Sequence, residues 1–244
     1  MAKTLAPLNL VPTLVYPTAP NRLRSSDVPG YAPSDDEAGG EGEIDSWAWF
    51  KKDEANGTYR FLKEGMERLA ESITEAVAVK GVDGEQGAGE EEGEVVRQEE
   101  DAVIDGVIGF SQGGCMAALL ASAMETSEGR NKSLESADAE QQEWVRQVRE
   151  ANKGRPLKFA VIYSGFFAPP GELAWLYEPK VQTPTLHFIG SLDTVVEESR
   201  CQGLIDRCEG GLVVIHPGGH YVPVNKEWVM PLVGFIRNCL AGGK

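Results

Sequence analysis

Ser111 lies in Gly109-Phe110-Ser111-Gln112-Gly113, a G-x-S-x-G arrangement. A serine hydroxyl is a poor nucleophile until a base takes its proton. The chain offers three histidines for that task. His187 stands inside the apolar run TLHFI and reads as a strand histidine. His216 and His220 flank Pro217-Gly218-Gly219 in HPGGHYVP, directly after LVVI. A loop after a strand end lets an imidazole reach a neighbouring strand end, and the two glycines permit a tight bend before His220. His220 is therefore preferred as the base, with His216 making a structural hydrogen bond near the strand end. The orienting acid should also follow a strand. Asp193 is the first acid after TLHFI, in Gly190-Ser191-Leu192-Asp193. Glu197 and Glu198 are the alternatives, but they read as the first turn of the next helix, where acids offset the dipole. A carboxylate that accepts from imidazole Nδ1–H fixes the tautomer and stabilises the imidazolium.

The serine motif needs a particular setting. Ala102–Phe110 (AVIDGVIGF) is an apolar run of the buried-strand kind, and a small-residue helix from Gln112 to Met124 follows. Ser111 then sits on a tight strand-to-helix turn. The helix start behind it offers unpaired N–H groups and a positive dipole end, with the backbone N–H of Gln112 as the natural oxyanion donor. The competing reading is a glycine-rich turn with a passive serine. The chain order Ser, Asp, His is that of α/β-hydrolases and differs from the orders in chymotrypsin and subtilisin.

Other elements fit the same plan. Tyr59–Val79 reads as a helix, with Leu62, Met66, Leu69, Ile73 and Val77 on one face. Asp138–Asn152 reads as a surface helix, and Asn225–Leu240 closes the chain with Trp228, Val229, Leu232, Phe235 and Ile236 at helical spacing. Leu10–Tyr16, Leu157–Tyr163, Thr185–Ile189 and Leu212–Ile215 are further strand candidates. Strands alternating with helices favour a mostly parallel sheet covered on both faces, an α/β fold whose ligands bind at the C-terminal strand ends. Asn21–Gly57 reads as a long surface loop anchored by SWAWF, and Thr126–Glu135 as a polar loop. Gly81–Asp101 is a Gly/Glu-rich insertion with little to bury, and is expected to be disordered. The whole of 1–244 is read as one domain.

The net charge of −15 argues against nucleic acid and anionic membrane as partners, because both need clustered Lys and Arg. No apolar run is long enough to span a bilayer. The N-terminus, broken by Pro7, Asn9 and Pro12, lacks a signal-peptide core. Cys115, Cys201, Cys208 and Cys239 form no C-x-x-C pair and no metal-ligand spacing with His. Reduced thiols and a cytoplasmic location, with the nucleus open to it, follow. No metal or organic cofactor is implied.

GFSQGG (Gly109–Gly114), YSGFF (Tyr163–Phe167), GSLDTVV (Gly190–Val196) and HPGGHYVP (His216–Pro223) together resemble the fungal serine hydrolase family. Its relatives include an ovarian-tumour-associated esterase and fungal thioesterases that release polyketides. YPTAP (Tyr16–Pro20) and the acidic stretch ending in AWF carry the resemblance further. It implies an α/β-hydrolase fold, Ser111 as nucleophile, Asp193 as acid, His220 as base, and a small-molecule acyl ester or thioester as substrate. One departure stands out. The family begins with an apolar strand and a His-Gly loop that supplies a second oxyanion N–H, whereas MAKTLAPLNL resembles the tail of the helix that follows them. Two explanations are open, a wrongly assigned start at Met1, favoured because the Ser-Asp-His set is intact, or a truncated, inactive product; the chain made as written is expected to fold poorly. Two further readings remain. One is a non-catalytic α/β-hydrolase-like protein that binds an acyl ligand or a protein partner. The other is a peptidase, since a Ser-Asp-His set does not separate amides from esters. Trp47, Trp49, Phe50, Phe166 and Phe167 could line an acyl pocket or simply anchor loops.

Overall fold

Residues 13–24, 27, 43–53, 55–79 and 102–243 are described by a computed structural model. Four short apolar runs form its main sheet: β5 (Gly106–Phe110), β6 (Phe159–Tyr163), β7 (Thr185–Gly190) and β8 (Leu212–His216). They lie side by side in that order, all parallel. Every residue of β6 and β7 is buried, as in a strand packed on both faces. β5 and β8 are the sheet edges among the described residues. Two antiparallel pairs precede the sheet, β1 (Asn21–Arg24) with β2 (Glu43–Ala48) and β3 (Lys51–Asp53) with β4 (Thr58–Arg60).

Side chains alternate along a strand, so each strand feeds two cores. Ala160 and Ile162 join a core with α1 (Leu62–Val79), α2 (Gln112–Met124) and α4 (Ala139–Ala151). Phe159, Val161 and Tyr163 face the other way, into a core closed by Val229, Leu232, Val233, Phe235 and Ile236 of α6 (Lys226–Leu240). The sheet is thus covered on both faces, the α/β arrangement that the sequence implies. In α1 the expected face is the buried one: Leu62, Met66, Leu69 and Ile73 are buried and Val77 packs beside them. α2 spans the expected residues. Its small side chains let it lie tight on the sheet, since a Cβ at Gly114 would sit 3.0 Å from the Gly165 Cα.

Several expectations are revised. Leu10–Tyr16 lies partly outside the described residues, and 13–16 form no strand. The insertion 81–101 lies outside them altogether. Asn21–Gly57 carries the strands β1, β2 and β3 where a loop was expected, because short polar strands lack an apolar alternation. Tyr59 belongs to β4 and not to α1. Asp138 caps α4 by accepting from the Gln141 N–H at 2.8 Å, and this helix buries Trp144, Val145 and Val148.

Thr126–Glu135 holds a helix, α3 (Glu128–Leu134), capped by the Ser127 hydroxyl. Periodicity could not reveal it, because the residue it buries is an arginine. Arg130 is fully buried. Its Nε donates to Glu125 Oε2 at 3.1 Å, and its Nη atoms donate to the carbonyls of Trp175 (2.6 Å) and Pro179 (2.7 Å). Glu125 Oε1 in turn accepts from the Gln182 N–H (2.6 Å) and the Thr183 N–H (2.8 Å). A buried ion pair is tolerable only when the remaining polar atoms are satisfied in this way.

His187 confirms its reading as a strand histidine: it is buried in β7, 3.1 Å from the Thr185 hydroxyl. Burial pushes its pKa down to about 4. α5 (Glu198–Ile205) begins where the acids Glu197 and Glu198 were assigned to a helix start. All four cysteines are free and buried. No helix among the described residues is long and apolar enough to cross a membrane.

Two stability predictions follow from the buried polar groups. Arg130→Met leaves Glu125 charged without its cation, and should lower the unfolding free energy by ~3–5 kcal/mol in urea titrations. The second concerns pH. The unfolded chain protonates His187 near 6.5, whereas the folded chain resists until about 4. Within that window the unfolded state holds more protons, so stability falls as pH falls. Unfolding free energies at about pH 7 and about pH 5 should differ less in His187→Gln than in the parent.

Candidate active site

β5, β7 and β8 end on the same side of the sheet, and each hands the chain to a turn there. β5 passes into α2 through Ser111, whose φ of 55° and ψ of −119° lie in a region that L-residues rarely adopt. The turn is possible because its neighbours are small. A Cβ at Gly109 would lie 2.0 Å from the Gly113 carbonyl oxygen. The Ser111 N–H donates to the Tyr163 carbonyl at 2.8 Å, so the residue is pinned to β6 as the chain reverses. Its side chain is left standing clear at the start of α2.

His220 and Asp193 arrive from the next strand ends. Gly190 closes β7 beneath the 216–220 loop, and a Cβ there would meet the Gly218 and Gly219 carbonyl oxygens at 2.5 Å. The Ser191 and Leu192 N–H groups donate to the carbonyls of His216 (2.9 Å) and Gly218 (3.0 Å). The two loops are therefore tied backbone to backbone. A Cβ at Gly218 would lie 2.1 Å from the hydroxyl of the exposed Tyr221 and would displace that ring; neither Gly218 nor Gly219 adopts a positive φ.

These turns bring Ser111, His220 and Asp193 into one hydrogen-bonded line. His220 Nδ1 is 2.8 Å from Asp193 Oδ2, and its Nε2 is 2.9 Å from Ser111 Oγ. With Nδ1–H donating to the carboxylate, Nε2 is free to accept from the serine hydroxyl. Asp193 Oδ1 accepts from the Val195 and Val196 N–H groups, both at 2.9 Å. Burial by itself would raise the Asp193 carboxyl, but hydrogen bonds from His220, Val196, Ser164 and Val195 outweigh it and hold the pKa at about 2. The carboxylate therefore stays ionised down to about pH 2.

The remaining candidates separate cleanly. Glu197 is the N-cap residue of α5, and Glu198 lies in its first turn. His216 is buried at the end of β8, but the structural hydrogen bond expected of it is not found: neither ring nitrogen has a partner among the described residues. It packs instead against the rings of Tyr221 (5.2 Å between centroids) and Trp228 (5.9 Å). The backbone N–H of Gln112 opens α2 next to Ser111, where helix N–H groups have no intrahelical acceptor. Among the described residues no group of three or more His, Cys, Asp or Glu could hold a metal ion.

Sequence reasoning missed three contributors. The Gln112 side chain accepts from the Trp49 N–H (2.8 Å) and donates to the Phe50 carbonyl (2.9 Å), tying the SWAWF segment to the serine turn. Ser164, buried just past β6 with φ 45°, supplies a hydroxyl to Asp193. Its signal was a polar residue at a strand end, in YSG. Phe110 lies with its ring centroid 4.6 Å from that of His220. Of the aromatic residues singled out, Phe50 is an anchor, buried and stacked on Tyr59, whereas Trp47 is exposed beside the Arg22 guanidinium.

The chain is similar in sequence to known proteins. Residues 1–232 match the family described as Serine hydrolase (FSH1). The chain belongs to that family. It is 26% identical over 234 residues to Family of serine hydrolases 2 of Saccharomyces cerevisiae, covering 92% of this chain and 83% of that protein. It is 29% identical over 185 residues to a Schizosaccharomyces pombe protein named dihydrofolate reductase, covering 76% of this chain and 31% of that one. Esterase AGAP003155 of Anopheles gambiae is 32% identical over 137 residues, covering 55% of this chain and 42% of the esterase. The chain thus spans less than half the length of two of these relatives and most of the third.

The Gln112 bridge gives a prediction in this FSH1-family chain. Gln112→Ala removes both side-chain bonds and leaves the Trp49 N–H and Phe50 carbonyl without them. A loss of ~1–3 kcal/mol in unfolding free energy is expected, together with a change in Trp fluorescence of the folded state.

Proposed function

We propose that this chain is a serine hydrolase that cleaves carboxylic esters or thioesters of acyl chains, with Ser111 as nucleophile, His220 as general base and Asp193 as the orienting acid. The observation that carries the reading is the single imidazole bridging Asp193 at 2.8 Å and Ser111 at 2.9 Å, at a serine held in positive φ. Family membership supports the coarser part, hydrolysis by a serine.

In this reading Ser111 Oγ attacks the acyl carbonyl as His220 Nε2 takes its proton. The backbone N–H of Gln112 donates to the oxyanion of the tetrahedral intermediate, and the start of α2 adds its positive dipole end. His220 then passes the proton to the leaving alcohol or thiol as the C–O or C–S bond breaks, leaving Ser111 acylated. Water repeats the cycle: it attacks the acyl carbon, gives a proton to Nε2, and releases the carboxylic acid as Oγ is reprotonated. Asp193, ionised throughout, stabilises the imidazolium that forms in each step. The substrate is a small acyl ester or thioester, and the four free thiols support a reducing, cytoplasmic location.

A fluorophosphonate probe, which forms a covalent bond only with an activated serine, tests the assignment. The parent chain is expected to label, and Ser111→Ala is expected not to. His220→Ala and Asp193→Ala should lower kcat on p-nitrophenyl esters by roughly 10⁴-fold. A folded parent that neither labels nor hydrolyses esters would refute the hydrolase reading and leave the binding of an acyl ligand without turnover.

A further inference from the structure

We infer that Phe110 is a positioning residue for His220, needed most at the stage when Ser111 can no longer hold the imidazole. The inference rests on the hydrolase reading above. Its origin is the two-residue period of β5. Ile108 packs into the core closed by α6, and Phe110, two residues on, leaves the strand on that same face. The β8 loop returns over this face, since His216 packs on Trp228 of α6. Phe110 therefore meets His220 at the sheet end, with centroids 4.6 Å apart and ring planes at 37°. The ring stays 36% exposed on its other side.

The two hydrogen bonds and the ring contact restrain different motions. Nδ1 and Nε2 both lie in the plane of the imidazole. Bonds of 2.8 Å to Asp193 and 2.9 Å to Ser111 fix the ring along the line joining the two partners. They restrain tilting about that line far less. The aromatic face of Phe110 opposes the tilt. Its π-electrons also attract the imidazolium that forms in each half of the cycle.

The restraints do not stay equal through the reaction. Once Oγ is acylated it carries no proton to donate, and Nε2 loses its serine partner. The imidazole is then held by Asp193 and by Phe110. It must still take a proton from the attacking water while C–O bond formation proceeds. Loss of the aromatic face should therefore slow deacylation more than acylation. That inequality has a kinetic signature, because slow deacylation lowers kcat and KM together and lets the acyl-enzyme accumulate.

The test compares the parent with Phe110→Leu and Phe110→Tyr on p-nitrophenyl butyrate, with thermal melts to show that all three fold. Phe110→Leu keeps an apolar side chain but no π-face. Its kcat should fall about tenfold, equivalent to ~1.4 kcal/mol. Its KM should fall as well, and p-nitrophenol should appear in a burst of about one equivalent per Ser111. Phe110→Tyr should behave like the parent. Phe110→Leu with unchanged kcat overturns the inference, and so does a fall in kcat/KM without a burst, or a Tyr variant as impaired as the Leu variant. A Leu variant that does not fold moves the decision to Phe110→Tyr and Phe110→Trp: parent-like turnover in both supports the inference, and a burst in either overturns it. A parent that neither labels nor turns over marks the failure of the hydrolase reading itself, and this inference falls with it.

Discussion

The reversal of the chain at Ser111 is the constraint on which the site depends. β5 must stop, turn through a backbone conformation with φ of 55°, and enter α2 within one residue. An L-residue in that region carries strain of order 1–3 kcal/mol, which persists only where the surroundings over-determine it. Here they do so from three directions. The Ser111 N–H is bonded to β6, the Ser111 carbonyl accepts from Gly114 (2.9 Å) and Cys115 (3.1 Å), and Gly109 admits the Gly113 carbonyl where a side chain would collide. The result is a hydroxyl presented at the end of β5, where His220 Nε2 reaches it at 2.9 Å.

The partners of that hydroxyl come from loops that are long in sequence and short in space. Asp193 and His220 are separated by 27 residues, yet their loops share backbone hydrogen bonds and a contact at Gly190 that leaves no room for a Cβ. The parallel sheet makes this economical, because adjacent strands deliver their following loops to the same end. The Asp193 side chain is almost entirely buried and surrounded by donors, whereas the His220 side chain keeps some exposure. The acid is thus a fixed charge, and in the proposed reading the imidazole is the part that exchanges protons with a substrate.

Polar burial shapes the rest of the molecule. Arg130 and Glu125 carry the connection between α3, the 3₁₀ segment Gly171–Tyr177 and the approach to β7 through bonds to main-chain groups at 175, 179, 182 and 183. A pair of this kind adds little net stability over an apolar substitute but is costly to break on one side. His187 and His216 add two further buried imidazoles whose pKa values burial lowers. The chain therefore places its ionisable groups inside at several points where no catalysis is read.

Much of the site could be read from the residues in order. A G-x-S-x-G between an apolar run and a small-residue helix, with acid and imidazole after later strands, specified Ser111, Asp193 and His220 before any contact was known. The helices α1 and α6 were equally legible, since each repeats its apolar residues at helical spacing and buries that face, whereas α2 was read from its run of small residues and is buried all round. Tertiary structure decided what depends on partners distant in sequence. The helix at Glu128–Leu134 exists around a buried arginine, which no hydrophobic period can announce. The short strands before α1 are made by pairing and not by pattern. The Gln112 bridge, the Ser164 support and the Phe110 contact reach 62, 29 and 110 residues along the chain, and their geometry arises only when the strand ends are assembled. Local periodicity records which face of an element is buried; it carries no information about which residue will stand opposite.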